Sequence, residues 1–122
     1  MSALSAPFFD GLEQGEVRYQ ACADCGTVQT LARYACRRCR GPRLEWRKSA
    51  GRGVVYAATV VHRAPSRELS PLVPYTLALV DLDEGARLLG HAAPGVAIGD
   101  RVEVTFFSFA ERTLVRFRPE KP

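Results

Sequence analysis

From residue 53 onward the chain alternates apolar and polar positions with the two-residue period of strands buried on one face. Residues 54–62 are rich in Val, Thr and Tyr, and residues 75–82 and 86–91 flank Asp83-Glu84-Gly85, a sequence suited to a hairpin turn. Residues 101–107 set Arg101, Glu103 and Thr105 against Val102, Val104 and Phe106, and residues 114–118 set Leu114 and Arg116 against Val115 and Phe117. Ile98-Gly99-Asp100 marks the turn before the fourth strand. Five short antiparallel strands in so small a space predict a closed barrel of the OB type. Many OB barrels carry a helix between their third and fourth strands, but residues 92–100 are too few and too rich in Gly and Pro to form one. The longest irregular stretch, 64–74, holds Pro65, Pro71 and Pro74 and is the kind of loop that carries function on a rigid barrel.

The first half follows a different pattern. Ser5-Ala6-Pro7-Phe8-Phe9-Asp10-Gly11-Leu12 reads as a short helix, with Pro7 in its first turn and Gly15 at its end. Phe8, Phe9 and Leu12 fall on one side, and a helix this short is not stable alone, so it must dock on the chain's own core or on a partner. Residues 17–20 and 44–48 look like strands that enter and leave a cysteine-bearing segment. Ser49-Ala50-Gly51-Arg52-Gly53 then breaks the pattern and predicts a hinge. The expected organisation is a helix over 1–16, a metal-binding segment over 17–50 and a barrel over 51–122.

The cysteines supply the chemistry. Cys22-x2-Cys25 and Cys36-x2-Cys39 are the chain's four cysteines, two knuckles able to surround one tetrahedral ion. Gly26 directly after Cys25 suits the tight knuckle turn, and Gly41 sits two residues after Cys39. Two disulfides, a redox pair or a rubredoxin-type iron compete with structural zinc for this pattern, and zinc fits best in a chain without an evident secretion signal. Four protein ligands leave no open position, so the zinc organises the fold rather than reacts. Val28, Leu31, Tyr34, Leu44 and Trp46 are too few to fold this segment alone, and metal binding would supply on the order of 10 kcal/mol.

Charge is uneven. The formal net charge is +4, from 17 Lys and Arg against 13 Asp and Glu, and four zinc-bound thiolates would lower it to about +2. Arg33, Arg37, Arg38, Arg40, Arg43, Arg47, Lys48 and Arg52 face the single acid Glu45 across the cysteine region. This cluster fits compensation of the thiolate charge, a phosphorylated small molecule, or single-stranded nucleic acid with Tyr34 or Trp46 stacking on bases. Few outward aromatics on the barrel strands oppose the last.

No nucleophile elbow, phosphate-binding glycine loop or paired-histidine motif is present. His62 and His91 fall in different strands, and the cysteines are committed to metal, so catalysis by the chain alone is not expected. No run of eighteen apolar residues occurs, and Met1-Ser2-Ala3-Leu4 lacks the start of a secretion signal, so a cytoplasmic location is expected.

The order of parts resembles a bacterial and archaeal family catalogued as domain-of-unknown-function family thirty-five, a rubredoxin-like zinc ribbon joined to an OB-fold. The resemblance runs from Pro7 to Phe117, through Cys22-Ala23-Asp24-Cys25-Gly26, Gly51-Arg52-Gly53-Val54-Val55-Tyr56, Thr59-Val60-Val61-His62-Arg63 and Ile98-Gly99-Asp100-Arg101-Val102. It departs at Leu31-Ala32 and Arg37, where the family tends to carry prolines. The resemblance implies a mainly β, non-catalytic scaffold subunit. Its partner would be a thiolase-fold enzyme of the thiolase, synthase, acyltransferase or aldolase type, and a CoA thioester would be the ligand. In that setting Arg52, Arg63, Tyr75 and His62 become candidates to hold CoA, and Phe8, Phe9 and Leu12 candidates for the partner interface. The rivals are a nucleic-acid-binding protein and an iron-containing electron carrier.

Overall fold

The computed structural model describes residues 4–30 and 32–120, so Leu31 lies outside the described residues. Helix α1 (Ala6–Glu13) follows Ser5 at its N-cap, has Pro7 in its first turn, and is followed by Gly15 at φ +76°. Strands β1 (Arg18–Cys22), β2 (Val28–Gln29) and β3 (Leu44–Lys48) form a small antiparallel sheet in the order β2-β1-β3. The two-residue β2 had no signal in the sequence; it pairs with β1 only because the first knuckle folds the chain back on itself.

The remaining strands are β4 (Arg52–Val61), β5 (Tyr75–Leu82), β6 (Arg87–Ala92), β7 (Arg101–Phe109) and β8 (Arg112–Pro119). They close into the expected five-stranded barrel, β4-β5-β6-β8-β7, which β4 and β7 seal through Arg52↔Glu103 to Val54↔Arg101. The all-antiparallel expectation needs one correction, because β6 and β8 run parallel. A closed ring with an odd number of strands cannot alternate direction throughout, so at least one pair must be parallel. No helix lies between β6 and β7, as the sequence predicts, and the 64–74 loop contains a 3₁₀ segment, Arg67–Leu72, none of which is buried.

Alternation along each strand decides what is inside. Val55, Val80, Val102 and Phe117 are fully buried in the barrel, with Ala78, Leu82, Leu88 and Val115 around them. Gly90 sits on the inner face because a Cβ there would come within 2.9 Å of Val115 and 3.0 Å of Phe117. Leu12, Val17, Tyr19 and Ala21 belong to the same apolar cluster, so helix, small sheet and barrel share one core.

That shared core corrects the hinge expected at 49–53. Ser49 is buried; its N–H donates to the Val17 carbonyl (2.8 Å) and its hydroxyl to Glu84 Oε1 (2.6 Å). The Ala50 N–H donates to Glu84 Oε2 (2.8 Å), and the Val104 N–H to the Gly51 carbonyl (2.7 Å). Glu84, in the β5–β6 turn, thus clasps the connection from the opposite side. The Thr30 hydroxyl adds a second tie by donating to the Arg87 carbonyl. A junction with its polar groups bonded on both sides is a strut, not a pivot. Among the described residues no helix is long and apolar enough to cross a membrane.

Candidate functional site

Cys22 ends β1 and Cys25 follows in the turn, where the Cys22 N–H donates to the Thr27 carbonyl and the Gly26 N–H to the Cys22 carbonyl, both at 2.9 Å. The second knuckle repeats the scheme: the Cys36 N–H donates to the Gly41 carbonyl and the Arg40 N–H to the Cys36 carbonyl, again at 2.9 Å. In each knuckle the residue after the second cysteine takes a left-handed conformation, Gly26 at φ +80° and Arg40 at φ +62°. Arg40 makes the turn, and Gly41 is needed for space, because a Cβ there would lie 2.9 Å from Asp24 Oδ2 and 3.2 Å from Cys39 Sγ.

The four sulfurs all lie within 4.8 Å of one another, with Cys22–Cys39 and Cys25–Cys36 each at 3.5 Å. A tetrahedron with zinc–sulfur bonds of about 2.3 Å has edges of about 3.8 Å, so the donor set fits such an ion with little movement. Backbone N–H groups of Arg38 and Gly41 point at the sulfurs of Cys36 and Cys39, each at 3.4 Å. Hydrogen bonding to the Thr27 hydroxyl and amide brings the Cys25 thiol down to about 6, and the amides of Cys39 and Arg38 lower Cys36. The Gly41 amide also acts to lower Cys39, but the Cys22 thiol and burial outweigh it and push that thiol up to about 12. Metal binding by cysteines takes the thiolate form and releases the remaining thiol protons. Sulfur-only, four-coordinate and closed, the site suits a structural metal with no place for substrate.

The neighbouring charge is partly neutralised. Arg43 donates through Nε to Asp24 Oδ1 (2.9 Å), which holds that carboxyl below the usual carboxylate range, and Arg43 also feels the charge of Cys22. Arg47 pairs with Glu45 at 3.2 Å.

The CoA candidates do not form one site. Arg52 begins β4, 3.8 Å from Glu120 and beside the Arg101–Asp83 pair, whereas His62 and Arg63 follow the other end of that strand. Nine strand residues separate the two ends by about 30 Å. Tyr75 does lie near His62, because β5 begins with Tyr75 opposite Val61. Its ring packs 5.0 Å from His91, which in turn meets Phe107 edge-on at 5.2 Å, and the Arg116 guanidinium covers Phe107 at 4.1 Å. Burial first, and then the charge of Arg116, hold His91 below the ordinary histidine value of 6.5. The place of His91 next to Tyr75 depends on the β5–β6 register, Leu77↔His91, which the sequence alone does not reveal.

The expected interface residues divide as well. Leu12 is only 5% exposed and is taken up by the chain's own core, so it is corrected from surface to core. Phe9 is 41% exposed and packs edge-on against Phe8 at 5.4 Å. Both rings border a groove with Leu89, itself 61% exposed. Leu77, Leu79 and Leu89 lie on the outer face of β5 and β6, the face on which OB-folds bind oligonucleotides. Tyr75, His91 and Arg87 share that face with the leucines.

The chain matches two family models, ChsH2 rubredoxin-like zinc ribbon domain over residues 9–45 and ChsH2 C-terminal OB-fold domain over residues 46–107. A DUF35 domain-containing scaffold protein of Methanocaldococcus jannaschii is 39% identical over 90 residues, which is 70% of this chain and 63% of that protein. The 3-oxo-4,17-pregnadiene-20-carboxyl-CoA hydratase alpha subunit of Mycobacterium tuberculosis is 36% identical over 121 residues, 96% of this chain but only 38% of that protein. Among solved structures, a chain of the Ltp2-ChsH2(DUF35) aldolase superposes with a TM-score of 0.84 at 31% identity, covering 98% of this chain and 96% of that one. With ribbon, barrel and four-sulfur site all accounted for, the chain belongs to the DUF35 family, whose members join a ChsH2-type rubredoxin-like zinc ribbon to an OB-fold.

Proposed function

We propose that the chain is a non-catalytic scaffold subunit of a thiolase-like acyl-CoA enzyme complex, of thiolase, acyltransferase or aldolase type, which docks on its partner and helps hold the CoA thioester. The observation that carries this reading is the end-to-end likeness to the DUF35 chain of the Ltp2-ChsH2 aldolase. In the mycobacterial hydratase subunit the matched part is 38% of the protein, and in this reading the hydration chemistry lies in the remainder. The closed sulfur site agrees, since it leaves the metal no position for substrate.

The partner surface in this reading is the outer face of β5 and β6 with Phe8 and Phe9, where Leu89 and Phe9 expose apolar area that is costly in water. His62, Arg63 and Tyr75, at the other end of β4, are its CoA-facing residues, and Arg52, about 30 Å away along the strand, is left out. The test is co-expression with the thiolase-fold proteins of the same genome. The zinc-loaded chain should co-purify with one of them, and Leu89→Asp should abolish capture while leaving the melting temperature unchanged. Capture that survives Leu89→Asp would move the interface elsewhere, and no capture by any thiolase-fold protein would end the proposal.

A further inference from the structure

We infer that the cleft between ribbon and barrel is an oxyanion site, in which Arg33, Arg37 and Arg87 hold the phosphate or pyrophosphate of a soluble organic phosphate. These arginines come from separate places in the sequence, two from the ribbon and one from β6, and line a single cleft of about 430 Å³. That lies within the range of roughly 300–1,000 Å³ of small-molecule sites. One carboxylate, Asp81, shares the lining and is paired with Arg87, which leaves the lining with two positive charges in excess, those of Arg33 and Arg37.

The arginines are held in place. Arg87 donates through Nε to Asp81 Oδ1 (2.6 Å) and lies 3.7 Å above the Tyr56 ring, so its plane is supported from below and at one edge. The ribbon arginines are positioned by two buried glutamines. Gln20, 3% exposed, accepts from the Arg33 N–H through Oε1 (3.0 Å) and donates through Nε2 to the Arg33 carbonyl (3.2 Å). Gln29, 6% exposed, donates to Gln20 Oε1 (2.8 Å) and accepts from the Arg37 N–H through its own Oε1 (3.4 Å). Burying two side-chain amides is costly unless they are bonded, and here the bonds fix the backbone on which both arginines stand. The Thr30 hydroxyl, bonded to the Arg87 carbonyl, joins the two walls at the cleft itself. The Arg37 guanidinium itself donates to the Val28 carbonyl (3.4 Å), and guanidinium groups in excess of the local negative charge bind phosphate oxygens through paired, charge-assisted hydrogen bonds. The site is built from this chain alone and does not rest on the partner reading.

The test uses the full zinc-loaded chain at constant ionic strength, titrated with pyrophosphate and with inorganic phosphate by calorimetry and by amide NMR. One saturable site is expected, with shifts centred on Thr30, Arg33, Arg37 and Arg87. Arg33→Gln with Arg37→Gln should weaken binding roughly tenfold or more, while Arg118→Gln, on exposed β8 and paired with Glu103, should leave it unchanged. Absence of saturable pyrophosphate binding, shifts centred elsewhere, or equal weakening by Arg118→Gln would each overturn the inference. So would displacement of pyrophosphate by a single-stranded oligonucleotide whose affinity falls steeply with salt, because that assigns the charge to nucleic acid. If the double variant loses zinc, the NMR map on the unmodified chain decides the matter by itself.

Discussion

Replacing Glu84 by alanine should uncouple ribbon from barrel. Its carboxylate accepts from the buried Ser49 hydroxyl at 2.6 Å and from the Ala50 N–H at 2.8 Å, two bonds to an ionised acceptor. Hydrogen bonds to charged groups contribute about 1.5–3 kcal/mol each when shielded, and this pair is half in solvent, so its joint loss should cost about 2–3 kcal/mol. The Ser49 oxygen still accepts from the Gly51 N–H (3.0 Å), but the buried O–H loses its acceptor, which places the cost at the upper end of that range. With a urea slope of about 1–1.5 kcal/mol/M, the midpoint of the zinc-loaded protein should fall by about 2 M, and the Ala50 amide should exchange faster with solvent. Glu84→Gln, which keeps one acceptor oxygen, should recover about half of the loss. A midpoint within about 0.3 M of the parent for Glu84→Ala would refute the clasp and restore the junction to a hinge.

Three further outcomes follow from the geometry. Cys36→Ser should reduce zinc content well below one per chain and unfold the ribbon, because a buried ligand and the amide bond to its sulfur are both lost; a metal-replete, normally folded variant would contradict the site. Phe117→Ala, at a fully buried position in the barrel, should cost about 3–5 kcal/mol in denaturant unfolding, whereas Tyr34→Ala, at 82% exposure, should change stability by less than about 0.5 kcal/mol. His91 is held below 6.5 in the fold, so the unfolded chain binds more protons as pH falls through 6.5. Stability from this group is therefore complete above that pH and declines toward the lower folded value; an NMR titration midpoint at or above 6.5, or one that Arg116→Gln fails to raise, would contradict the packing.

Much of the fold was legible because it follows from local rules. Alternation at Val102, Val104 and Phe106, the Asp83-Glu84-Gly85 turn and the paired CxxC spacing each encode their structure within a few residues. What sequence reasoning missed depends on distant parts meeting. The 49–53 segment reads as flexible because its glycines permit it, and nothing nearby reveals that Glu84 will close on it from 34 residues away. Gln20 and Gln29 look like ordinary strand polar residues until the β1–β2 pairing, Gln20↔Gln29, places their amides side by side. Arg87 showed no link to Arg33 and Arg37 while it was one base among many, and Leu12 shares a helical side with Phe8 without sharing its exposure. The ligands were visible as a pattern, whereas the arginine cleft existed only once ribbon and barrel were locked together.

The scaffold reading is tested most directly by reconstitution. The zinc-loaded chain, its co-purifying thiolase-fold partner and the mixture should be assayed side by side for turnover of an acyl-CoA substrate. The account predicts no turnover by the chain alone, turnover that requires the partner, and a change in that turnover when the chain is added in the proportion found in the isolated complex. Thioester conversion by the chain without any other polypeptide, or partner activity indifferent to its presence, would contradict it.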